Sequence, residues 1–103
     1  MKIKKSQVIN LPVFTQGKKN LGKIIDIKKE PLSGEVVLFY VKAHSLITKL
    51  LNGTDLLIIP EEQVISIDKE KMIVKNLTDK EILSIQEMLK NNMASPAMSS
   101  EVD

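Results

Sequence analysis

Residues 21–42 read LGKIIDIKKEPLSGEVVLFYVK, and this stretch decides the fold class of the chain. Two apolar runs flank the turn 29–34, where Pro31 suits a φ of about −65° and Gly34 suits a position that needs a positive φ. The second run, residues 35–42, is apolar on both faces, which is typical of a strand inside a sheet. The stretch therefore predicts an antiparallel hairpin at the centre of a larger sheet.

Shorter apolar runs, again separated by turn residues, lie on both sides of this hairpin in the sequence. Residues 8–14 precede it, and Pro12 predicts a strand that starts late or lies at an edge. Residues 55–59 follow it, and 63–68 with 72–75 form a second predicted hairpin. The pattern indicates a mainly β domain, a small barrel of about six short antiparallel strands.

Local features within these runs predict particular backbone shapes. Strict alternation along residues 21–28 places Leu21, Ile25 and Ile27 on one face. Asn10 is expected to mark a bend, and Gly17 is expected to take a positive φ in the turn that follows the first strand. Gly22 predicts a bulge or a close backbone approach.

The spacing of the apolar residues changes from a strand pattern to a helical pattern near the end of the sequence. Thr78 and Glu81 have the spacing of a capping box. After them, apolar residues recur at helical spacing, namely Ile82, Ile85, Met88 and Leu89. We therefore divide the chain into a barrel at 1–76, an amphipathic α-helix at 77–92 packed on or beside it, and a flexible tail at 93–103.

The segment between the two predicted hairpins carries the densest group of large aliphatic side chains. Ser45 is a suitable N-cap for a short helical turn, which would place four aliphatic residues on one side. These residues are Leu46, Ile47, Leu50 and Leu51. They either plug one end of the barrel or form an exposed protein interface, and we carry them as candidate interface residues.

The charge distribution is uneven although the net charge is only +2. Residues 1–51 contain ten lysines and three acids, a net +7, whereas residues 52–103 contain five lysines and ten acids, a net −5. Either the first half forms a basic face for an acidic partner or a second copy, or strands of both halves interleave and mix the charges. Lys18, Lys19 and Lys23 are the candidate basic patch. All fifteen cationic residues are lysines, which argues against base-specific reading.

The residue types that catalysis and metal binding most often use are scarce in this chain. The chain has one histidine, His44, and no cysteine, so we predict no catalytic residue, no metal site and no cofactor, and no enzymatic activity. The absence of cysteine fits a reducing compartment, and no apolar run follows Met1–Lys5 as a signal peptide requires. The longest apolar run, residues 36–41, is far shorter than the roughly 20 residues of a membrane span. A cytoplasmic location is expected.

Four stretches in the same order resemble the PRC-barrel domain family. They are residues 6–13, 17–27, 31–37 and 57–67, and the likeness covers about residues 6–75. Members include the cytoplasmic domain of the photosynthetic reaction-centre H subunit and the C-terminal domain of the ribosome maturation factor RimM. The resemblance implies a small, strongly bent β-barrel.

Two functions from different classes follow. The first is a non-catalytic protein-interaction or assembly module, whose partner is another protein or a second copy in a homodimer. The alternative is a ribosome- or RNA-associated accessory factor, resembling ribosome maturation proteins, that uses the lysine-rich first half. Association with a peripheral membrane complex, by analogy with the reaction-centre subunit, is a third and more distant reading.

Overall fold

The computed structural model describes residues 3–51 and 54–97, with side chains described up to residue 89. Within these stretches six strands form one sheet, in chain order β1 Pro12–Thr15, β2 Asn20–Lys29, β3 Val36–Ala43, β4 Leu56–Pro60, β5 Val64–Ile67 and β6 Met72–Val74. The helices are α1 Lys5–Val8, α2 Ser45–Thr48 and α3 Asp79–Ala97, and a 3-10 turn covers Glu61–Gln63. No helix in this part of the chain is long and apolar enough to cross a membrane.

The sheet is mixed, with the strand order β4-β3-β2-β1-β6-β5. The six strands and the β2–β3 hairpin agree with the sequence prediction. The expectation of purely antiparallel strands is wrong, because β1 and β6 run parallel, with Val13 opposite Met72 and Thr15 opposite Val74. The β5–β6 hairpin places its second strand beside β1, and that strand runs in the same direction as β1.

The predicted barrel is not closed within the described residues. Strands β4 and β5 are the two edges of the sheet and do not pair with each other. Helix α3 takes the place of a strand at the β4 edge, where the Gln86 side chain forms two hydrogen bonds with Ile58. The backbone N–H of Ile58 donates to Gln86 Oε1 at 2.7 Å, and Gln86 Nε2 donates to the Ile58 carbonyl oxygen at 2.7 Å.

The core packs against one face of the sheet, with Phe39, Leu21 and Ile24 among its fully buried side chains. Leu21 and Ile24 are three residues apart in one strand, so strict alternation fails along β2. The register of β2 against β1 shifts at Leu21, an extra residue between the partners of Val13 and Phe14, and Ile25 is 43% exposed. A second shift, against β3 between Ile24 and Asp26, marks a bulge at Ile25, and Ile27 beyond it packs against the core. The prediction that Ile25 faces the core is therefore wrong, because the residue inserted at Leu21 reverses the faces that follow it, up to the second shift.

Left-handed backbone positions match the prediction in part. Asn10 has a φ of 72° and Gly34 a φ of 74°, as expected. In the turn after β1 the positive φ belongs to Lys18, at 69°, and not to Gly17. Gly17 instead donates its backbone N–H to the Asn76 side chain at 2.7 Å, which ties the turn to the segment before α3.

Helix α3 begins with the predicted capping box. Thr78 donates its backbone N–H to Glu81 Oε1 at 2.9 Å, and Glu81 donates its own N–H to Thr78 Oγ1 at 3.1 Å. Ile82 is buried in the core, whereas Met88 is exposed although it belongs to the predicted apolar stripe. The helix ends at Ala97 and not at residue 92, so it includes residues 93–97 of the expected tail. Residues 98–103 of the expected tail lie outside the described residues.

Candidate functional site

The strand order concentrates the basic half of the chain at the centre of the sheet. Strands β1, β2 and β3 lie side by side, and the strands of the second half flank them on both sides. The strands of the two halves therefore do not alternate. An ion pair joins the halves, with Lys19 Nζ 3.0 Å from Asp79 Oδ1. Within the first half, Lys5 Nζ lies 3.0 Å from Asp26 Oδ1.

One open groove beside β1, β2 and β3 is basic, with the exposed Lys23 and Lys42 on the outer face of the sheet, away from the core. We call it the basic groove, and it is lined by Asn10, Pro12, Asn20, Gly22, Lys23, Lys42, Ala43 and His44. Lys23 lies directly opposite Lys42 on neighbouring strands. Neither lysine forms an ion pair with another described residue. Because like charges directly across a ladder destabilise a sheet, this arrangement favours the binding of an anion between them.

Gly22 makes this pairing of β2 with β3 sterically feasible. Its φ is 138°, and a Cβ atom at this position would lie 2.0 Å from the carbonyl oxygen of Lys42. The Asn20 side chain accepts a hydrogen bond from the Gly22 N–H at 3.0 Å, and the His44 N–H donates to the Leu21 carbonyl at 2.9 Å. The predicted close backbone approach at Gly22 is confirmed, and it fixes one end of the basic groove.

His44 has a structural role that the sequence did not indicate. It is the N-cap of α2, and its Nδ1 accepts a hydrogen bond from the Leu46 N–H at 3.2 Å, so the expectation of Ser45 as the cap is wrong. In the neutral ring Nδ1 is then the acceptor, and Nε2 carries the proton. The half-buried His44 lines the basic groove, and its Nε2 is not used by the cap.

A second open groove lies on the same outer face, over β1, β6 and β5. We call it the apolar groove, and it is lined by Phe14, Thr15, Gln16, Lys18, Ile65, Lys71 and Ile73. Phe14 is in register with Ile73, and Ile65, which is 46% exposed, lies at an irregularity in β5 beside Ile73. These three side chains form an apolar strip across three strands.

The structure does not bring the predicted basic patch together as one site. Lys23 lines the basic groove and Lys18 lines the apolar groove. Lys19 is engaged with the Asp79 carboxylate. Lys42, which the sequence analysis did not single out, completes the basic groove. The register of β2 against β3 would have identified it, but the bulge at Ile25 hides that register in the sequence.

The predicted interface residues divide between the core and the surface. Ile47 and Leu51 are buried in the core, and the half-buried Leu50 packs against it. Leu46 is 73% exposed. The segment around α2 therefore fits the interpretation in which it plugs the core, and Leu46 is the member of the set that is most exposed to a partner.

The ionisable groups of the described chain show modest perturbations that have local causes. The hydrogen bond from Lys5 lowers the pKa of Asp26, and burial, followed by the charge of Asp26, raises the pKa of Tyr40. Among the described residues, no group of three or more acidic or histidine side chains is placed to hold a metal ion. The cavity between α3 and β4 is about 10 Å³, which is room for one water molecule.

No family model and no curated protein matches this chain. Among solved structures, the chain is similar to RimM of Pseudomonas aeruginosa, a 16S ribosomal RNA processing protein, with a TM-score of 0.54 and 22% sequence identity. The two folds are alike. The match covers 75% of this chain and 45% of the RimM chain, so it corresponds to less than half of that protein. The likeness of fold agrees with the resemblance found in the sequence.

Proposed function

We propose that this protein is a non-catalytic accessory factor that binds RNA, such as the RNA of a ribosomal particle, through the basic groove. The observation that carries the proposal is the cross-strand pair of Lys23 and Lys42, which have no carboxylate partner among the described residues. Two lysines that the sheet places opposite each other attract a polyanion. Binding a phosphate between them relieves their mutual repulsion.

The other groups of the groove favour backbone phosphates over base edges. Lysine acts as a point charge on a flexible stem, whereas base-specific contacts mostly use the bidentate geometry of arginine, which this chain lacks. His44 and the side-chain amides of Asn10 and Asn20 add further hydrogen-bond donors beside the lysines. We therefore expect binding that depends on phosphate charge and shape more than on sequence.

The similarity to RimM supports RNA over other polyanions. The name of that protein refers to the processing of 16S ribosomal RNA. The similar fold in this chain places its basic strands at the centre of the sheet. The activity of the whole RimM protein is not carried over, because this chain corresponds to less than half of its length.

A salt titration of RNA binding tests the proposal. The probe is a fluorescein-labelled single-stranded RNA 20-mer, and fluorescence anisotropy gives the affinity between 50 and 200 mM salt. Each phosphate contact contributes a slope of about −0.7 to the dependence of log affinity on log salt. The double variant Lys23→Gln/Lys42→Gln is expected to weaken binding and to reduce the slope by about 1.4. The matched control is Lys69→Gln/Lys80→Gln, two exposed lysines outside the groove.

Two results would argue against the RNA proposal. One is an affinity that is absent, or that stays flat over this range of salt. The other is an equal loss in the groove variant and the control variant, because binding would then follow net charge alone. Co-sedimentation with purified small ribosomal subunits, run with the same variants, distinguishes a ribosomal particle from free RNA.

A protein-interaction module remains the second candidate. The observation that favours it is the apolar groove, whose exposed Ile65 and half-buried Phe14 and Ile73 form an apolar strip on the surface. A contiguous apolar strip with polar groups around it is typical of a protein contact.

A further inference from the structure

The apolar groove combines an apolar floor with a rim of one charge. Phe14, Ile73 and Ile65 contribute the floor from three neighbouring strands. Lys18, in the turn after β1, and Lys71, which precedes β6, contribute the cationic groups. No carboxylate is among the residues that line the groove.

Two acidic residues, Asp68 and Glu70, precede Lys71 in the chain, and neither lines the groove. The Asp68 carboxylate accepts hydrogen bonds from the backbone N–H of Glu70 at 2.7 Å and of Lys71 at 3.0 Å, and these bonds hold its pKa below its usual value. Asp68 also contributes some charge near Lys71. Lys18 forms no ion pair with a described residue. The rim therefore remains net basic, most clearly at Lys18.

We infer that the apolar groove is a docking site for an acidic peptide segment of a partner protein, with an apolar anchor side chain on the Phe14–Ile73–Ile65 strip and carboxylates at Lys18 and Lys71. The apolar floor determines the anchor, because burying an apolar side chain against isoleucine and phenylalanine removes both surfaces from water. The rim determines the flanking charge, because opposite charges across an interface steer the encounter and fix the orientation.

Two other occupants fit the groove less well. A second copy of this chain in a symmetric contact would bring Lys18 and Lys71 close to their own counterparts, which repel. RNA would gain from the lysines, but base stacking needs an accessible aromatic face, and the floor offers one half-buried Phe14 beside two aliphatic side chains. This inference does not rest on the RNA proposal, because the two grooves differ in all their lining residues.

Selection of peptides from a random library tests the inference. The full chain is immobilised, and phage that display random dodecapeptides are selected on it at low salt. We expect the enriched sequences to carry Asp or Glu on both sides of a Leu, Ile, Phe or Met residue. A synthetic, fluorescein-labelled copy of the most enriched peptide then serves as the probe for anisotropy. Its affinity is expected to fall at least threefold between 50 and 200 mM salt.

Matched substitutions connect the binding to the groove. Ile65→Asp is expected to weaken the probe at least tenfold, because it places a carboxylate on the strip. The control Leu32→Asp makes the same chemical change at a site that is 96% exposed and outside the groove, and it is expected to leave the affinity unchanged. Lys18→Glu is expected to weaken binding about threefold to fivefold, as for an exposed ion pair. Unchanged melting temperatures confirm that the variants fold.

Several outcomes would overturn the inference. Enriched peptides without acidic residues, or equal losses for Ile65→Asp and Leu32→Asp, would show that the groove is not the site. A dimer in light scattering that Ile65→Asp dissociates would assign the groove to a second copy. Displacement of the probe by the RNA 20-mer, with amide chemical shifts changing at Ile65 and Ile73 on addition of that RNA, would assign it to RNA.

Discussion

The two edges of the sheet are finished in opposite ways. At the β4 edge a side-chain amide from α3 pairs with the backbone of Ile58, and Gln86 is only 5% exposed. At the β5 edge no other strand of the described chain pairs with the outer side, and Ile65 is 46% exposed. An unpaired edge is a template for another chain, and natural proteins usually cover or charge it. One edge is thus completed within the fold, and the other has no pairing strand among the described residues.

The largest effect is expected from removing the group that covers the β4 edge. Gln86→Leu leaves the buried N–H and carbonyl of Ile58 without partners, which costs about 2–4 kcal/mol in the free energy of unfolding. Urea unfolding followed by circular dichroism measures this cost. Glu87→Leu, at the exposed neighbouring position, is the control and should change the stability by less than about 0.5 kcal/mol. An unchanged unfolding midpoint in Gln86→Leu would mean that the two hydrogen bonds do not protect this edge.

A smaller effect is expected from loosening the start of the helix that carries Gln86. Thr78→Ala removes the hydroxyl that accepts the Glu81 N–H, and losing such a cap costs about 1 kcal/mol. Thermal unfolding measures it, with the substitution Ser84→Ala on the exposed side of α3 as the control. If the cap also positions Gln86, amide hydrogen exchange at Ile58 will be faster in Thr78→Ala. A loss of stability with unchanged exchange at Ile58 would separate the cap from the edge.

The dependence of the melting temperature on pH, between pH 7 and pH 3, tests the same helix start. The Thr78 backbone N–H, and then its hydroxyl, lower the pKa of Glu81 below its usual 4.5. A carboxyl with a lowered folded pKa adds stability above its usual pKa, and loses it as the pH falls through the folded value. We expect Glu81→Gln to melt slightly below the native protein at pH 7 and together with it near pH 3. A difference that persists at pH 3 would contradict this assignment.

The smallest change in stability is expected at the open edge. Ile65→Lys places a charge on an exposed side chain of β5, so the free energy of unfolding should change by less than about 0.5 kcal/mol. The same variant should aggregate more slowly during heating, because a lysine on an edge strand opposes pairing with another chain. Light scattering during the thermal ramp measures this. Strong destabilisation by Ile65→Lys would mean that the β5 edge is also structurally covered.

Some of these features could be predicted from the sequence because the signal for them is local. The hairpin at 21–42 follows from two apolar runs around a Pro–Gly turn, and the capping box follows from the spacing of Thr78 and Glu81. The close approach at Gly22 also follows from one residue. The turn and the cap depend on groups that are neighbours in the chain, and the approach of Gly22 to Lys42 is signalled by the glycine alone.

The features that were missed depend on the pairing of distant segments. The residues inserted at Leu21 and Ile25 change which side chains of β2 face the core, and alternation cannot place such insertions. Gln86 interrupts an apolar helical stripe and resembles a surface residue until Ile58 is found beside it. The basic groove needs Lys23 and Lys42 in register, and the candidate patch lacked Lys42 for that reason.

The parallel pairing of β1 with β6 has a consequence for how the chain folds. Val13 and Met72 face each other across about 60 residues of chain, whereas β1, β2 and β3 follow one another through short turns. Closing the longer loop loses more chain entropy, so the three-strand meander is expected to form first and β6 to join it late. Met72→Ala should then speed unfolding more than it slows folding in a stopped-flow chevron. During synthesis, β1, β2 and β3 would therefore form an incomplete sheet with one edge of β1 unpaired. That edge would be covered only when the acidic second half of the chain has been made and β6 pairs with β1.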